Sequence, residues 1–359
     1  MPFNRNHNLQ PKLAIFLLAL SFTFVGSLLS SCEANNASTP TLPLPAPSQT
    51  QAPLSTPLET ANYSVETALP SPTPTSPEVP LIATTTNSSH AQTTPTPRTP
   101  PAADAWTELP VIPTVSDTAR QIFQRGLSMG RNPHAFSKIG DCQSITTYFL
   151  ALFDKPGFYV LGSQTHLQET IDWFSGSFQR ESLAVKGGLN AAAILSPLRA
   201  DPKLCQSGEA PVVCELRINN PSLVIISLEE WWADDPTKYE QYMRQILDQV
   251  IAQGVVPILA TKADNLEGNH LINQTIAQLA WEYDIPLWNF WQAVQPLPHH
   301  GLINLTDDGK PDMFHLTHGD NHYNYSDLQA LKSGWAIRNL TALQVLDAVW
   351  RGLNEQPQP

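Results

Sequence analysis

The apolar residues in the second half of the chain follow the spacings expected of strands and helices. Residues 221–228 form one continuous apolar run, which is typical of a strand buried on both faces. Residues 239–252 place Tyr242, Ile246 and Val250 on one side of a helix, and Gly254 can end that helix as a C′ glycine. Shorter patterns predict strands at residues 135–139, 255–260 and 285–289, and helices at residues 144–153, 167–174, 272–283 and 340–350. Because strands and helices alternate, the pattern predicts an α/β fold with a parallel sheet covered by helices on both faces.

The N-terminus has the features of an export signal rather than of a folded segment. Arg5 and Lys12 precede an apolar run at residues 13–25, which is short for a membrane span. Residues 29–32 read Leu-Ser-Ser-Cys, the order of a bacterial lipobox. We therefore predict a signal peptide at residues 1–31 and acylation of Cys32, which would anchor the protein on the extracytoplasmic face of a bacterial membrane. An ordinary secretory signal and an uncleaved anchor helix are the alternatives.

Composition divides the rest of the chain into a linker and one folded region. Of the 359 residues only 14% are charged and 33 are proline. Residues 32–102 are rich in Pro, Thr and Ser and carry almost no charge, which predicts a disordered, extended linker. Residues 103–354 are predicted to form a single domain. The net charge of −12 and the lack of a basic cluster argue against a nucleic-acid partner.

The four cysteines suggest different roles. Cys32 belongs to the lipobox. Cys205 and Cys214 flank a short polar loop, and in an exported protein they can form a local disulfide or remain two thiols. Cys142 would then be an unpaired thiol in an exported domain, and its presence there needs a reason.

Two strand ends carry residues that could do chemistry, since ligands of open parallel sheets bind beyond the carboxyl ends of the strands. Residues 137–142 read Ser-Lys-Ile-Gly-Asp-Cys and lead directly into the predicted helix at residues 144–153. Asp312 precedes His315 by three residues, so its carboxylate can accept the Nδ1 proton and leave Nε2 to act as a base. The amides at the start of a helix would stabilise both a thiolate and an oxyanion next to Cys142.

This early nucleophile and late Asp-x-x-His resemble the SGNH (GDSL-type) hydrolases over roughly residues 130–352. Gly140-Asp141-Cys142 stands where the family has Gly-Asp-Ser, and Asp312 and His315 match its last motif. The resemblance implies a three-layer α/β/α, flavodoxin-like domain that cleaves acyl esters of carbohydrate or lipid without a metal or other cofactor. It further implies Cys142 as nucleophile, His315 as general base, Asp312 as its orienting partner, and an oxyanion hole formed by the amides of Cys142 and Gly188 or Gly187.

The sequence departs from the family at two positions. Cysteine replaces the nucleophilic serine, which preserves a nucleophile because a thiol beside histidine can ionise. The family's Gly-x-Asn-Asp block is missing after the strand at residues 221–228, where residues 229–232 read Glu-Glu-Trp-Trp. Loss of one oxyanion donor typically lowers turnover ~10²–10³-fold, although Asn190 could substitute. Ser144 is a second candidate nucleophile, and a chain with no nucleophile is the third reading.

Simpler explanations exist for several of these residues. Asp141 can cap the following helix rather than contact substrate. His318 can line the cleft, or the three histidines of residues 315–322 can bind a metal, although their spacing fits no regular zinc motif. Trp231 and Trp232 can stack on a sugar ring or belong to the core. The alternative function is a non-catalytic surface module that uses the same cleft to bind a glycan or a protein partner.

Overall fold

The computed structural model describes residues 101–228, 236–306 and 309–355, and its centre is a parallel β-sheet. The strands are β1 (Asn132–Gly140), β2 (Pro221–Ser227), β3 (Val256–Ala260) and β4 (Leu287–Trp288). They lie in the order β1-β2-β3-β4, and each neighbouring pair is parallel. Every residue of β2 and β3 is buried, as expected for strands covered on both faces.

A further chain segment pairs with the outer edge of β1. Gly140 and Val185 form an isolated parallel bridge, in which the Gly140 amide donates to Ala184 O at 3.0 Å. Val185 lies between β1 and β2 in sequence but on the opposite side of β1 from β2. The chain therefore moves first to one side of β1, where Val185 pairs, and then to the other side, where β2 pairs. This change of side is typical of flavodoxin-like sheets, and here the segment at Val185 contributes a single bridge in place of a full strand. Ligands bind at such a switch point, which here lies at the carboxyl ends of β1 and β2.

Helices cover both faces of the sheet and complete the predicted three-layer α/β/α architecture. Their bounds are α1 (Asp117–Ser128), α2 (Gln168–Trp173), α3 (Ala191–Ile194), α4 (Pro211–Asn219), α5 (Pro236–Ala252), α6 (Leu271–Tyr283), α7 (Phe290–Val294) and α8 (Gly334–Asn354). α4, α5 and α6 connect successive parallel strands, and α5 packs against both α4 and α6. The right-handed rule for such connections places all three on one face. α1 and α8 pack together on the other face, where α8 also contacts α2 and α7.

The pattern of apolar residues predicted α5, α6 and α8, but it did not predict α1 or α4. α5 and α6 match the predicted helices closely, and α8 begins six residues earlier than the predicted residue 340. α1 was not predicted, although Ser116 caps it by accepting a hydrogen bond from Ala119 N at 3.0 Å. Its buried residues recur at helical spacing: Ala119, Ile122, Phe123 and Gly126. α4 was also missed.

The predicted helix at residues 144–153 is wrong. The structure has a 3-10 turn at Cys142–Ser144, irregular backbone, and a second 3-10 turn at Ala151–Asp154. Leu150 adopts a left-handed conformation with φ of 70°, which an α-helix cannot contain. Its amide donates instead to Asn339 Oδ1 on α8, at 2.6 Å. A tertiary contact therefore replaces the helical hydrogen-bond pattern that the local sequence suggests.

None of the helices within the described residues has both the length and the apolar character that a membrane crossing requires. The predicted signal peptide, the acylated Cys32 and the linker lie outside the described residues, as do Trp231 and Trp232.

Candidate active site

The turn after β1 is built tightly around Gly140. A Cβ on Gly140 would collide with Ser144 Oγ and with the backbone oxygen of Ser227, so only glycine fits here. Asp141 is buried, and its Oδ1 accepts a hydrogen bond from Gln143 N at 3.1 Å, which is the capping role considered from the sequence. Cys142 is half-buried at the start of the turn.

The structure corrects the expected surroundings of Cys142. The helical segment that begins there is a 3-10 turn of only three residues, so this segment does not give the sulfur the N-terminal dipole of an α-helix. Ser144 is buried and its Oγ donates towards Ser227 O at 3.5 Å, which directs this hydroxyl into the sheet rather than to solvent. Of the two candidate nucleophiles, only Cys142 reaches the surface.

Asp312 and His315 form the hydrogen-bonded pair that their spacing predicts. His315 Nδ1 lies 3.0 Å from Asp312 Oδ2, and the backbone amide of His315 donates to Asp312 Oδ1 at 2.9 Å. Partial burial tends to raise the pKa of Asp312, but hydrogen bonds from the His315 amide, the His315 ring and the Phe314 amide together lower this pKa below its usual value. The carboxylate is therefore ionised at neutral pH and can accept the Nδ1 proton.

A direct hydrogen bond joins the two halves of the candidate site. Gln143 Nε2 donates to Phe314 O at 2.9 Å, so the residue after Cys142 contacts the residue before His315. Gln143 is 1% exposed, and its backbone amide donates to Asp141 Oδ1. The turn after β1 and the Asp312–His315 loop, which are 171 residues apart in sequence, therefore meet at the same edge of the sheet.

Arg338 of α8 is hydrogen-bonded to this turn and to the end of β2. Its guanidinium donates to Gln143 O at 2.9 Å through Nε and to Ser227 Oγ at 2.7 Å through Nη2. The side chain is fully buried and packs 4.9–5.2 Å from the ring centres of three aromatic residues, Phe149, Trp288 and Phe290. Arg338 thus fixes the ends of β1 and β2 to the last helix. Neither Gln143 nor Arg338 was identified from the sequence, because their roles depend on contacts between distant segments.

Gly188 and Asn190, which were both considered as oxyanion donors, follow the segment that pairs with Gly140. Lys186 N donates to Gly140 O at 3.4 Å, and Gly188 follows two residues later in an exposed turn with φ of 74°. Asn190 caps α3, since its Oδ1 accepts from Ala193 N at 2.8 Å. Any contact between Asn190 and a substrate oxyanion must therefore come from its Nδ2 group.

The cysteines differ from the sequence expectation at one position. Cys205 and Cys214 form a disulfide, which was one of the two states considered for them. Cys142 is also disulfide-bonded. The expectation of an unpaired Cys142 is therefore wrong for this structure. A nucleophilic thiolate requires the reduced form of Cys142, and that role stays a prediction.

Histidine rings continue along the same loop beyond His315. The His318 ring lies 5.5 Å from that of Tyr148 and 5.9 Å from that of Trp335, and the His322 ring lies 6.4 Å from that of His318. Partial desolvation, together with the positive charges that His322 and His315 can carry, lowers the pKa of His318. His318 is therefore mostly neutral at neutral pH and can both donate and accept a hydrogen bond.

The comparisons with known proteins leave the family open. No protein-family model matches the chain, and no curated protein matches it in sequence. Among solved structures, it is similar to a protein described as lipolytic and of the G-D-S-L family from Desulfitobacterium hafniense, with 14% identity, a TM-score of 0.35, and coverage of 59% of this chain and 98% of that one. It is also similar to the acetyl xylan esterase AlAXEase, with 14% identity, a TM-score of 0.33 and coverage of 58% and 97%. The protein TesA gives 18% identity, a TM-score of 0.31 and coverage of 61% and 98%. Values this low do not assign a family.

Proposed function

We propose that this protein is an ester hydrolase that acts on acyl esters of carbohydrate or lipid. The observation that carries the proposal is the Asp312–His315 pair, with Nδ1 and the carboxylate oxygen 3.0 Å apart, on a loop that is hydrogen-bonded to the turn containing Cys142. A base oriented by a carboxylate next to a nucleophile is the arrangement that acyl transfer requires.

The proposed reaction has two steps. In the first, His315 Nε2 takes the proton of the reduced Cys142 thiol while the sulfur attacks the acyl carbonyl. The ester C–O bond breaks as the C–S bond forms, and the leaving alkoxide receives the proton from His315. In the second, His315 deprotonates a water molecule that attacks the thioester, which releases the carboxylic acid and restores the thiol. The amides of Cys142 and Gly188 are the proposed donors to the oxyanion in both steps.

Hydrolysis of p-nitrophenyl acetate by the full-length chain tests this proposal. We expect turnover after reduction with a phosphine, loss of turnover in Cys142→Ala and His315→Ala, and retained turnover in His166→Ala, which removes an exposed histidine of the Thr165–Leu167 turn. Cys142→Ser should hydrolyse the ester without reductant, since a serine keeps a nucleophile and cannot form a disulfide. Equal rates for the reduced parent and Cys142→Ala would reject the proposal.

A second candidate is the non-catalytic binding module that uses the same cleft. The disulfide at Cys142 favours this function, because it removes the thiol that catalysis needs. No turnover in the reduced parent or in Cys142→Ser, with both proteins folded, would support the binding module over the hydrolase.

The proposed location is the extracytoplasmic face of a bacterial membrane, with Cys32 as the acylated anchor and residues 32–102 as the spacer. Intact-mass measurement of the membrane-extracted protein tests the anchor directly, because acylation adds the mass of the lipid to a chain that begins at Cys32. Cys32→Ala should move the protein from the membrane to the soluble fraction, and unchanged fractionation would contradict the anchor.

A further inference from the structure

A cleft lies beside the Asp312–His315 loop, between two segments that the function above does not use. Val160 N donates to Tyr323 O at 2.9 Å, and Tyr325 N donates to Val160 O at 2.8 Å, so residues 157–160 and 321–325 are joined through their backbones. Between them is a cavity of about 390 Å³, a size that small-molecule sites commonly have. Its lining includes Gly157, Phe158, Tyr159, Asn321, His322 and Asn324.

This cleft lies next to the loop that carries the proposed catalytic base, and His322 belongs to both. His322 lines the cleft and lies 6.4 Å, centre to centre, from His318. The His318 ring in turn contacts Tyr148, which belongs to the irregular segment that follows Cys142. His318 also interacts electrostatically with His315, so the cleft and the Asp312–His315 pair lie on the same side of this loop.

The lining combines aromatic surface with hydrogen-bonding groups. Phe158 is 67% exposed, so its ring face is available to a ligand in the cleft. Tyr159 is held in place because its hydroxyl donates to Gln168 Oε1 at 3.0 Å. The amide of Asn324 is oriented because its Oδ1 accepts from Ser326 N and Ser326 Oγ, at 3.2 Å and 2.6 Å. A ring face next to fixed amide and imidazole groups suits a sugar, whose C–H face stacks on aromatics and whose hydroxyls need polar partners.

We propose that this cleft is a binding site for a neutral oligosaccharide, and that it holds the glycan part of the ester that the Cys142–His315 site cleaves. The second half of this statement rests on the proposed hydrolase function, whereas the first half does not. A lipid chain fits less well, because it offers no hydrogen bonds to the polar side chains of Asn321, His322 and Asn324 that line the cleft.

Binding can be measured without any catalysis. Isothermal titration of the full-length Cys142→Ala protein with cellotetraose, xylotetraose and chitotetraose should give saturable binding of at least one sugar. Phe158→Ala should weaken that binding about tenfold, and Phe158→Leu should weaken it nearly as much because leucine lacks a ring face. Phe158→Trp should preserve it. Leu198→Ala is the matched control, since Leu198 is 94% exposed and does not line the cleft.

Kinetics then separate this site from the hydrolase proposal. For an acetylated form of the bound sugar, Phe158→Ala and His322→Ala should raise KM about tenfold, while kcat/KM for p-nitrophenyl acetate stays unchanged. Failure of all three sugars to bind, or binding that is equal in Phe158→Ala and the parent, would overturn the oligosaccharide site. Sugar binding with no ester turnover in any variant would keep the site and reject the hydrolase.

Discussion

At the scale of single residues, the chemistry depends on how Asp312 holds His315. The carboxylate accepts hydrogen bonds from two backbone amides, those of Phe314 and His315, as well as from the imidazole. These amides hold the Asp312 carboxylate in place independently of its contact with the ring. The backbone geometry of residues 312–315 therefore sets the orientation of His315. For this reason the pair could be predicted from spacing alone, whereas its closeness to the turn that contains Cys142 was expected from the strand ends and from the family resemblance.

Replacing Asp312 with asparagine should disrupt the base while leaving its position intact. An amide can donate to Nδ1 and so favour the wrong tautomer of His315, and the comparable change in a Ser-His-Asp triad lowers kcat ~10⁴-fold. We expect a loss of this order in Asp312→Asn, measured as kcat for p-nitrophenyl acetate with the reduced protein. Asp320→Asn changes an exposed carboxylate of the same loop and should retain activity. A loss of less than about tenfold in Asp312→Asn would contradict the orienting role of Asp312.

At the scale of elements, β1 carries an unusual buried charge. Lys138 Nζ donates to Thr146 Oγ1 at 3.1 Å and to Phe178 O at 3.0 Å, and its side chain is 2% exposed. Burial lowers the pKa of Lys138 from 10.5 to about 8. The contact with Thr146 ties the irregular segment at residues 144–153 to the strand.

The lowered pKa of Lys138 predicts that its contribution to stability increases with pH. Between pH 8 and pH 10.5 the unfolded chain holds a proton that the folded chain has released, so raising the pH through this window favours the folded state. The gain should be on the order of 3 kcal/mol in the free energy of unfolding. Urea unfolding of the parent and of Lys138→Met at both ends of the window measures it. Lys155→Met, which removes an exposed lysine, is the control. A difference between parent and Lys138→Met that does not change with pH would refute the buried-charge account.

The elements themselves were predictable to different degrees. β2, β3, α5 and α6 follow from continuous apolar runs and clear helical spacing. The two-residue β4 is shorter than the predicted strand at residues 285–289, because only Leu287 and Trp288 pair with β3. α4 was missed because its pattern is nearly uniform rather than amphipathic. Its buried Glu215 accepts from Ser137 Oγ at 2.6 Å, a contact across the fold that sequence spacing cannot reveal.

At the scale of the whole molecule, the fold brings together segments from the two ends of the domain. The order of the strands places the turn after β1 at the point where the sheet reverses direction, and α8 returns to that point with Arg338. Sequence analysis predicted the parallel sheet, the covering helices and the Asp312–His315 pair. It could not predict Gln143 and Arg338 as connectors, since neither has a local signal, or the disulfide at Cys142.

The central claim is that the Cys142 sulfur and the His315 imidazole act together at one edge of the sheet, and alkylation of Cys142 tests it most directly. The full-length chain is reduced, and the rate at which iodoacetamide modifies Cys142 at pH 7 is followed by peptide mass spectrometry. Pairing with His315 stabilises the thiolate, so we predict modification at least about tenfold faster in the parent than in His315→Ala, with His166→Ala behaving like the parent. Equal rates in the parent and His315→Ala would show that the two side chains do not interact, and would contradict the account.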